Sequence, residues 1–244
     1  MLQLLKKEIT GFFSSLTGYV VIIVFLLLTS LFLWIFPGQF NILDAGYASL
    51  DSLFIIAPWV FLFLVPAVSM RLFADEKKSG TIEFLFTQPL TEMQIVLAKY
   101  FAGLSLVLFS LIPTVVYLFT IYYLGKPVGN LDLAGITGSY IGLFFLAAIY
   151  VAIGVFSSSL TENQIIAFLI AVSLSFFFYI GFESISNLNF LGAASGVILE
   201  LGINEHYKSI SRGVIDIRDI VYFLSVISIF IFLTKTVLES RKWK

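Results

Sequence analysis

Long apolar runs alternate with short polar segments along almost the whole chain. Six runs are long enough for helices that cross the hydrocarbon core of a membrane, which takes roughly 20 apolar residues each. They cover residues 18–36, 53–70, 100–124, 136–157, 165–182 and 220–238. Three prolines, Pro58, Pro66 and Pro113, fall inside these runs as tolerated kink sites. The pattern predicts one all-α membrane domain of residues 1–244, with six spans.

A shorter apolar run, residues 190–203, lies between the fifth and sixth predicted spans. Glu200 interrupts this run, which is too short to cross a membrane. We therefore predict a re-entrant or interfacial hairpin at this point of the chain.

The segment before the first predicted span has the pattern of an amphipathic helix. On a helix, Leu2, Leu5, Ile9, Phe12 and Phe13 would share one side, and the opposite side would be polar. This predicts an N-terminal helix that lies along the membrane interface. The alternative is a simple extension of the first span. A cleaved signal peptide is disfavoured because the apolar stretch is too long and has no A-x-A site after it.

The positions of Lys and Arg predict the orientation of the spans, because basic residues concentrate on the cytoplasmic side. The segments assigned to one side hold Lys6, Lys7, Arg71, Lys77, Lys78, Lys99, Lys235, Arg241, Lys242 and Lys244; those assigned to the other hold Lys126, Lys208, Arg212 and Arg218. We expect the first side, with both termini and the segments after the second and fourth spans, to be cytoplasmic.

Composition agrees with a membrane protein and excludes several kinds of site. Hydrophobic residues make up 59% of the chain and charged residues 12%, whereas a soluble domain carries about 25% charged residues. The net charge of -1 offers no general attraction for nucleic acid. With no Cys and only one His, His206, a metal or redox cofactor is not expected on this chain.

The predicted spans also lack the groups that would do chemistry. Five of the six contain no charged residue, and Lys235 lies near the cytoplasmic end of the sixth. An ion-coupled transporter or a membrane hydrolase is therefore disfavoured, and we assign no catalytic residue. The phosphate-binding motif G-x-x-x-x-G-K-[ST] is absent from the chain. If the protein is a pump, its energy has to come from a separate polypeptide.

Residues 71–100 form a charged segment between the second and third predicted spans. Gly80 allows a tight turn, Thr81 can cap a short helix over residues 82–88, and Pro89 stops that helix. Three apolar side chains would share one face of it: Ile82, Leu85 and Phe86. Such a helix could seat in a groove of a cytoplasmic partner.

A capping box follows the short helix. Thr91 and Gln94 have the spacing at which each side chain can bond the backbone N–H of the other. We expect this pair to begin the helix that leads into the third span. The segment would then hold a short transverse helix between two turns at the mouth of the bundle.

In this segment the sequence resembles the ABC-2 type transporter permeases. The matching residues are Glu76, Lys77, Gly80, Thr81, Glu83, Leu85, Pro89 and Lys99. The resemblance implies an N-terminal interfacial helix, six spans, a re-entrant hairpin before the last span, and a second permease copy or homologue. It also implies a cytoplasmic ABC ATPase that binds ATP-Mg and docks on the segment of Glu76, Gly80, Thr81, Ile82, Glu83, Leu85, Phe86 and Pro89.

Residues 206–244 resemble more narrowly the gliding-motility-associated ABC transporter permeases. That resemblance implies a bacterial inner-membrane complex with an auxiliary gliding-motility membrane protein. Permeases linked to nitrous oxide reductase maturation share a similar Ser-Arg-Gly segment and are the alternative. Five polar or turn-forming residues could form an extracytoplasmic gate or partner contact, or simply cap helices: His206, Ser211, Arg212, Gly213 and Asp216.

Other functions remain open from the sequence. The chain could serve an ABC-2 exporter of lipid, polysaccharide, peptide or drug, since an apolar bundle fits each of these substrates. A membrane scaffold that recruits a cytoplasmic protein through the same segment would have the same pattern. A secondary transporter is the third hypothesis, and the uncharged spans make it the weakest.

Overall fold

The structure is a computed structural model, and it describes residues 1–188 and 194–240. All regular secondary structure in these residues is helical. Six of their helices are long and apolar enough to cross a membrane. They are span 1 (Leu16–Ile35), span 2 (Asp51–Lys78), span 3 (Glu92–Leu124), span 4 (Leu133–Leu160), span 5 (Gln164–Ser186) and span 6 (Ile217–Glu239). The predicted all-α fold with six spans is confirmed.

The last three spans begin at side chains that cap them. Asp132, Asn163 and Asp216 each accept a backbone N–H from the first turn of spans 4, 5 and 6. Capping satisfies amide groups that have no partner inside the helix. These helices therefore start at a polar residue a few positions before the apolar run.

The segment of residues 71–100 is helical at its start, which was not predicted, whereas the helix predicted to begin after Thr91 and to lead into span 3 is confirmed. After a turn at Met70, span 2 continues as an extension helix (Arg71–Lys78), and span 3 already begins at Glu92. Only the segment between them, with the loop helix (Ile82–Phe86), lies outside the two spans. Apolar patterning marks the part of a helix that lies in hydrocarbon, whereas the backbone hydrogen bonds can continue beyond it.

The spans contain several local irregularities. Pro113 lies in a short 3₁₀ turn (Ile112–Thr114) in the middle of span 3, while Pro58 and Pro66 stay within regular helix. Spans 1 and 5 each contain a π-helical turn, Leu31–Ile35 and Phe177–Gly181. Prolines therefore account for only one of these three departures.

Besides the loop helix, the described residues form four helices outside the spans: the N-terminal helix (Leu2–Ser14), Ile42–Ala45, Ala194–Leu199 and the far helix (Ile203–Ser211). The N-terminal helix packs along span 3 and ends at Ser15, whose extended backbone turns the chain into span 1. Leu4 is its buried residue, whereas Leu2, placed on the apolar side by the sequence pattern, is 77% exposed. The start of the predicted hairpin, residues 189–193, lies outside the described residues.

Span 4 lies at the centre of the bundle. It packs against spans 2, 3, 5 and 6 and against the far helix. In the 18-residue apolar stretch of span 4, 78% of the residues are buried, compared with 22% in the corresponding stretches of spans 1 and 5. Spans 1 and 5 therefore present most of their surface to the surroundings.

The close approach of spans 2 and 4 depends on Gly154. A Cβ atom at this position would lie 1.8 Å from Ser69 Oγ and 2.6 Å from Ser69 Cβ. We expect Gly154→Ala to force the two helices apart and to lower the free energy of unfolding by about 1–3 kcal/mol, the usual cost of overpacking. Denaturant titration in detergent would measure this loss.

The matched control for that change is Gly11→Ala in the N-terminal helix. A Cβ atom at Gly11 would meet nothing within 4 Å. We therefore expect this variant to unfold at the same denaturant concentration as the unchanged protein, or at a slightly higher one. Equal losses in the two variants would contradict the close-approach explanation.

Candidate functional site

The loop helix lies between two grooves at one end of the bundle, which we call the basic end because it carries Lys6, Lys7, Arg71, Lys77 and Lys78. One groove, of about 470 Å³, separates it from the N-terminal helix and is lined in part by Gln3, Phe84 and Gln88. The other, of about 480 Å³, separates it from the end of span 6 and is lined in part by Glu83 and Leu238. The loop helix is therefore accessible from both sides.

The free face of the loop helix is not the one that the sequence pattern indicated. Ile82 and Leu85 are only 7% and 9% exposed and pack against the rest of the chain, with Phe86 half-buried. Phe84 is 73% exposed. The helix also ends at Phe86, two residues earlier than predicted. Periodicity identified the anchoring face and missed the aromatic residue on the opposite face.

The turns on either side of the loop helix differ in how they form. Gly80 has a φ of 70°, which favours glycine. Thr81 makes no side-chain cap, contrary to prediction, and its hydroxyl lies 2.8 Å from Ser79 Oγ instead. The capping box of Thr91 and Gln94 is confirmed. Thr81, Glu83 and Pro89 are exposed.

Ser158, at the end of span 4, holds the junction between span 2 and the extension helix. Its Oγ accepts hydrogen bonds from the N–H groups of Phe73 (2.8 Å) and Ala74 (3.1 Å), and donates to the Met70 carbonyl at 3.0 Å. These amides belong to the first turn of the extension helix and have no partner within it. Ser158 is fully buried, and nothing in the sequence pattern distinguished it from the serines on either side.

Two more contacts attach the extension helix to the ends of neighbouring spans. Lys77 Nζ donates to the Ser159 carbonyl of span 4, and Gln164 Nε2 of span 5 donates to Asp75 Oδ1. Together with Ser158, these bonds connect the extension helix to both spans. A displacement of the extension helix would therefore reach spans 4 and 5 directly.

A buried ion cluster connects the extension helix to span 3 and to the N-terminal helix. Lys99 Nζ lies 2.9 Å from Glu76 Oε1 and 3.1 Å from Glu8 Oε1, and its side chain is 1% exposed. The ammonium group also lies 5.2 Å from the centre of the Phe73 ring. Lys99, interpreted above as a loop residue, is thus a buried charge inside span 3. The prediction that only the sixth span carries a charge holds for the predicted bounds, because Lys99 lies immediately before the predicted third span, residues 100–124.

His206 occupies a second polar cluster, at the far end of the bundle. Its Nδ1 lies 2.7 Å from Asp219 Oδ1, its Nε2 lies 2.8 Å from the Glu200 carbonyl oxygen, and its ring stacks on Tyr222 at 3.8 Å. Asp219 lies in the first turn of span 6 and is 5% exposed. It was missed because it precedes the apolar run.

The other residues predicted at the far end have local structural roles. Ser211 donates to the Tyr207 carbonyl, Arg212 ends the far helix, and Asp216 caps span 6. Gly213 has a φ of 82°, and a Cβ there would lie 2.8 Å from the carbonyl carbon of Ala134. The structure therefore brings His206 together with Asp219 and not with Arg212 or Asp216.

Tyr207 links the far helix to span 2. Its hydroxyl donates to the Phe54 carbonyl at 2.7 Å. Burial raises the pKa of Tyr207, which keeps the phenol protonated as a donor. Within residues 1–188 and 194–240, no group of three or more His, Asp or Glu is placed to hold a metal ion.

A family model described as ABC-2 family transporter protein matches residues 3–243. The chain belongs to this family. Comparison with curated proteins gave no match. Membership in the ABC-2 family and six apolar helices together make the chain a multi-pass membrane protein of the permease type, a transport component.

The contacts of Ser158 in this permease can be tested by a single substitution. Ser158→Ala leaves two buried amides without their acceptor, and each such loss costs about 1–3 kcal/mol. We expect a lower free energy of unfolding and faster hydrogen exchange at Phe73 and Ala74. The control is Ser157→Ala, because buried Ser157 bonds only the Ile153 carbonyl of its own helix. Unchanged exchange in Ser158→Ala would contradict this role.

The ion cluster of the permease gives a second prediction. Lys99→Met leaves the carboxylates of Glu8 and Glu76 partly buried without their cation, and breaking a buried pair in this way costs about 3–5 kcal/mol. Adding Glu76→Gln should restore part of the loss. Denaturant titration in detergent measures both.

The control for the ion cluster is Lys235→Met, which breaks the more exposed pair of Lys235 and Glu239 in span 6. We expect it to cost at most about 1 kcal/mol. Equal losses for Lys99→Met and Lys235→Met would rule out a special role for the cluster.

Proposed function

We propose that this chain is the membrane-spanning permease subunit of an ATP-driven exporter whose separate ATPase docks on the loop helix. The observation that carries the proposal is Phe84, an exposed aromatic side chain between two grooves on a helix anchored to the bundle. Exposed aromatic residues beside pockets are typical anchors of protein interfaces. ATP-Mg would bind the partner, as expected for a family that typically works with an ATPase subunit.

The orientation in this proposal places the basic end in the cytoplasm of a bacterial cell, with the spans in the inner membrane. The support is the concentration of Lys and Arg at that end. Both termini and the loop helix would then be on the side where ATP is available. The far helix would face the extracytoplasmic space.

The proposed mechanism is mechanical. Closure of the ATPase pushes on the loop helix, and the extension helix passes this movement to spans 4 and 5 through Ser158, Lys77 and Asp75. The cluster of Glu76 and Lys99 passes it to span 3. Nucleotide would bias a bundle with two arrangements, as in other switching proteins.

A second permease copy or homologue would complete the transporter. In spans 1 and 5 only 22% of the residues in the 18-residue apolar stretch are buried. Between spans 1 and 2 lies an apolar groove of about 590 Å³, lined in part by Phe32, Ile55, Trp59 and Phe63. An apolar face of this kind supports packing against another membrane subunit or against lipid.

More specifically, the proposed exporter would act in gliding motility or in the export that supports it. Its further partner would be an auxiliary membrane protein. The support for this assignment is the resemblance of residues 206–244 to the gliding-motility-associated permeases. The described part of that segment gives Gly213 and Asp216 structural roles, which permeases of other systems could share.

Phe84→Asp tests the docking surface. We expect the substitution to weaken co-purification with the ATPase about tenfold or more, since losing an interface anchor costs about 2 kcal/mol or more. ATP hydrolysis that depends on the permease in liposomes should fall in parallel. The control is Tyr47→Asp, a 66% exposed aromatic residue in the segment between spans 1 and 2.

Two results would count against the proposal. Normal co-purification and ATP turnover in Phe84→Asp would contradict the docking surface. Stable binding of a cytoplasmic partner without permease-dependent ATP turnover would favour the membrane scaffold.

A further inference from the structure

Spans 4 and 5 pack against each other, and each buries a hydroxyl that has no hydrogen-bond partner in the described residues. The hydroxyl of span 4 belongs to Tyr150, and that of span 5 belongs to Ser175. Both side chains are fully buried. A buried hydroxyl without a partner is costly, and lipid offers it no water as a substitute. Two such groups on facing helices therefore need an explanation.

Ser175 differs from other buried serines of the spans. Ser69 and Ser157 each donate to the carbonyl four residues earlier in their own helix, at 2.9 and 2.8 Å. This bond is open to a serine in any regular helix. Ser175 Oγ does not make it in the part of the chain that the structure describes. Its hydroxyl is therefore available to a neighbouring helix.

A π-helical turn, Phe177–Gly181, begins two residues after Ser175. Tyr179 lies in this turn, and its ring meets the Tyr150 ring edge-on with 6.4 Å between the ring centres. Tyr150 therefore points towards span 5, about one helical turn from Ser175. A π turn holds an extra residue. When such a turn relaxes or moves along a helix, the residues beside it rotate by about 100° and shift by about 1.5 Å.

The two parts of span 5 on either side of the π turn have different attachments. At its start, Gln164 donates to Asp75 of the extension helix. Near its end, Glu183 accepts hydrogen bonds from Asn204 at 2.7 Å and from Lys208 at 3.3 Å, both in the far helix. The π turn thus lies between a part joined to the extension helix and a part joined to the far helix.

We propose that span 5 shifts at this π turn between two arrangements, and that the hydroxyls of Tyr150 and Ser175 bond each other only in the second. One hydrogen bond then satisfies both groups that are unpaired in the present arrangement. The shift would give a movement of the extension helix a defined end point inside the bundle. That last step rests on the proposed function, whereas the pairing itself does not require an ATPase.

The test is amide hydrogen exchange of the π turn, measured by mass spectrometry on the full-length permease in detergent. We expect Tyr150→Phe, Ser175→Ala and the double variant each to slow exchange of residues 177–181 by the same factor, about tenfold or more. Either substitution alone abolishes the pair, so the second one adds nothing to the slowing.

The denaturant midpoints of the same variants should behave differently. Each substitution removes one unpaired hydroxyl from the present arrangement, so each should raise the midpoint of unfolding. Because the two hydroxyls are not bonded to each other in that arrangement, the two increases should add in the double variant.

Two matched controls replace hydroxyls that are already bonded. Tyr140→Phe removes a hydroxyl of span 4 that lies 3.0 Å from Thr114 Oγ1, and Ser157→Ala removes one that donates to the Ile153 carbonyl. Both should lower the denaturant midpoint and leave exchange of residues 177–181 unchanged.

Three results would overturn the proposal. A lower denaturant midpoint in Tyr150→Phe or Ser175→Ala would mean that the hydroxyl is bonded in the present arrangement. Slowing that adds in the double variant would mean that the two hydroxyls act separately. Unchanged or faster exchange in the single variants would exclude the paired arrangement. None of these results depends on ATPase docking, so the two proposals fail separately.

Discussion

The hydrogen bonds of the Ser158 hydroxyl allow span 2 to change direction without losing its connection to the bundle. In and near a membrane, backbone groups that leave the helical pattern need a substitute partner, because water is scarce. At Met70 that substitute is a side chain from span 4, which accepts two amides and donates to one carbonyl. The same bonds fix the extension helix to the centre of the bundle. The loop helix follows the extension helix along the chain, and its buried Ile82 and Leu85 anchor it beside both grooves.

The extension helix has only eight residues, Arg71–Lys78, yet it contacts spans 3, 4 and 5. Ser158 and Ser159 connect it to span 4, Gln164 to span 5, and the Lys99 cluster to span 3. A helix transmits displacement because its hydrogen bonds make it stiff. A force on the loop helix would therefore reach several spans together, which is what coupling to an external ATPase would need.

The sequence predicted the number of spans, the capping box at Thr91 and the position of the loop helix, because these depend on local patterns within a few residues. It did not predict the partners of Ser158 or the burial of Lys99, since both depend on residues from other helices, more than eighty positions away for Ser158 with Met70 and for Lys99 with Glu8. Phe84 was missed for a different reason. Apolar periodicity finds the face that a helix buries in its own chain, whereas a docking residue is on the opposite face and breaks the pattern.

The proposed mechanical role agrees with the distribution of buried charge. In the described residues the two buried charges, Lys99 and Asp219, lie at opposite ends of the bundle, each beside a partner of opposite charge or a histidine. No charged side chain is buried between these ends in those residues. A proton relay would need ionisable groups along the path. Charges confined to the ends can instead hold helices in register there, which leaves the apolar middle free to repack when the ends move.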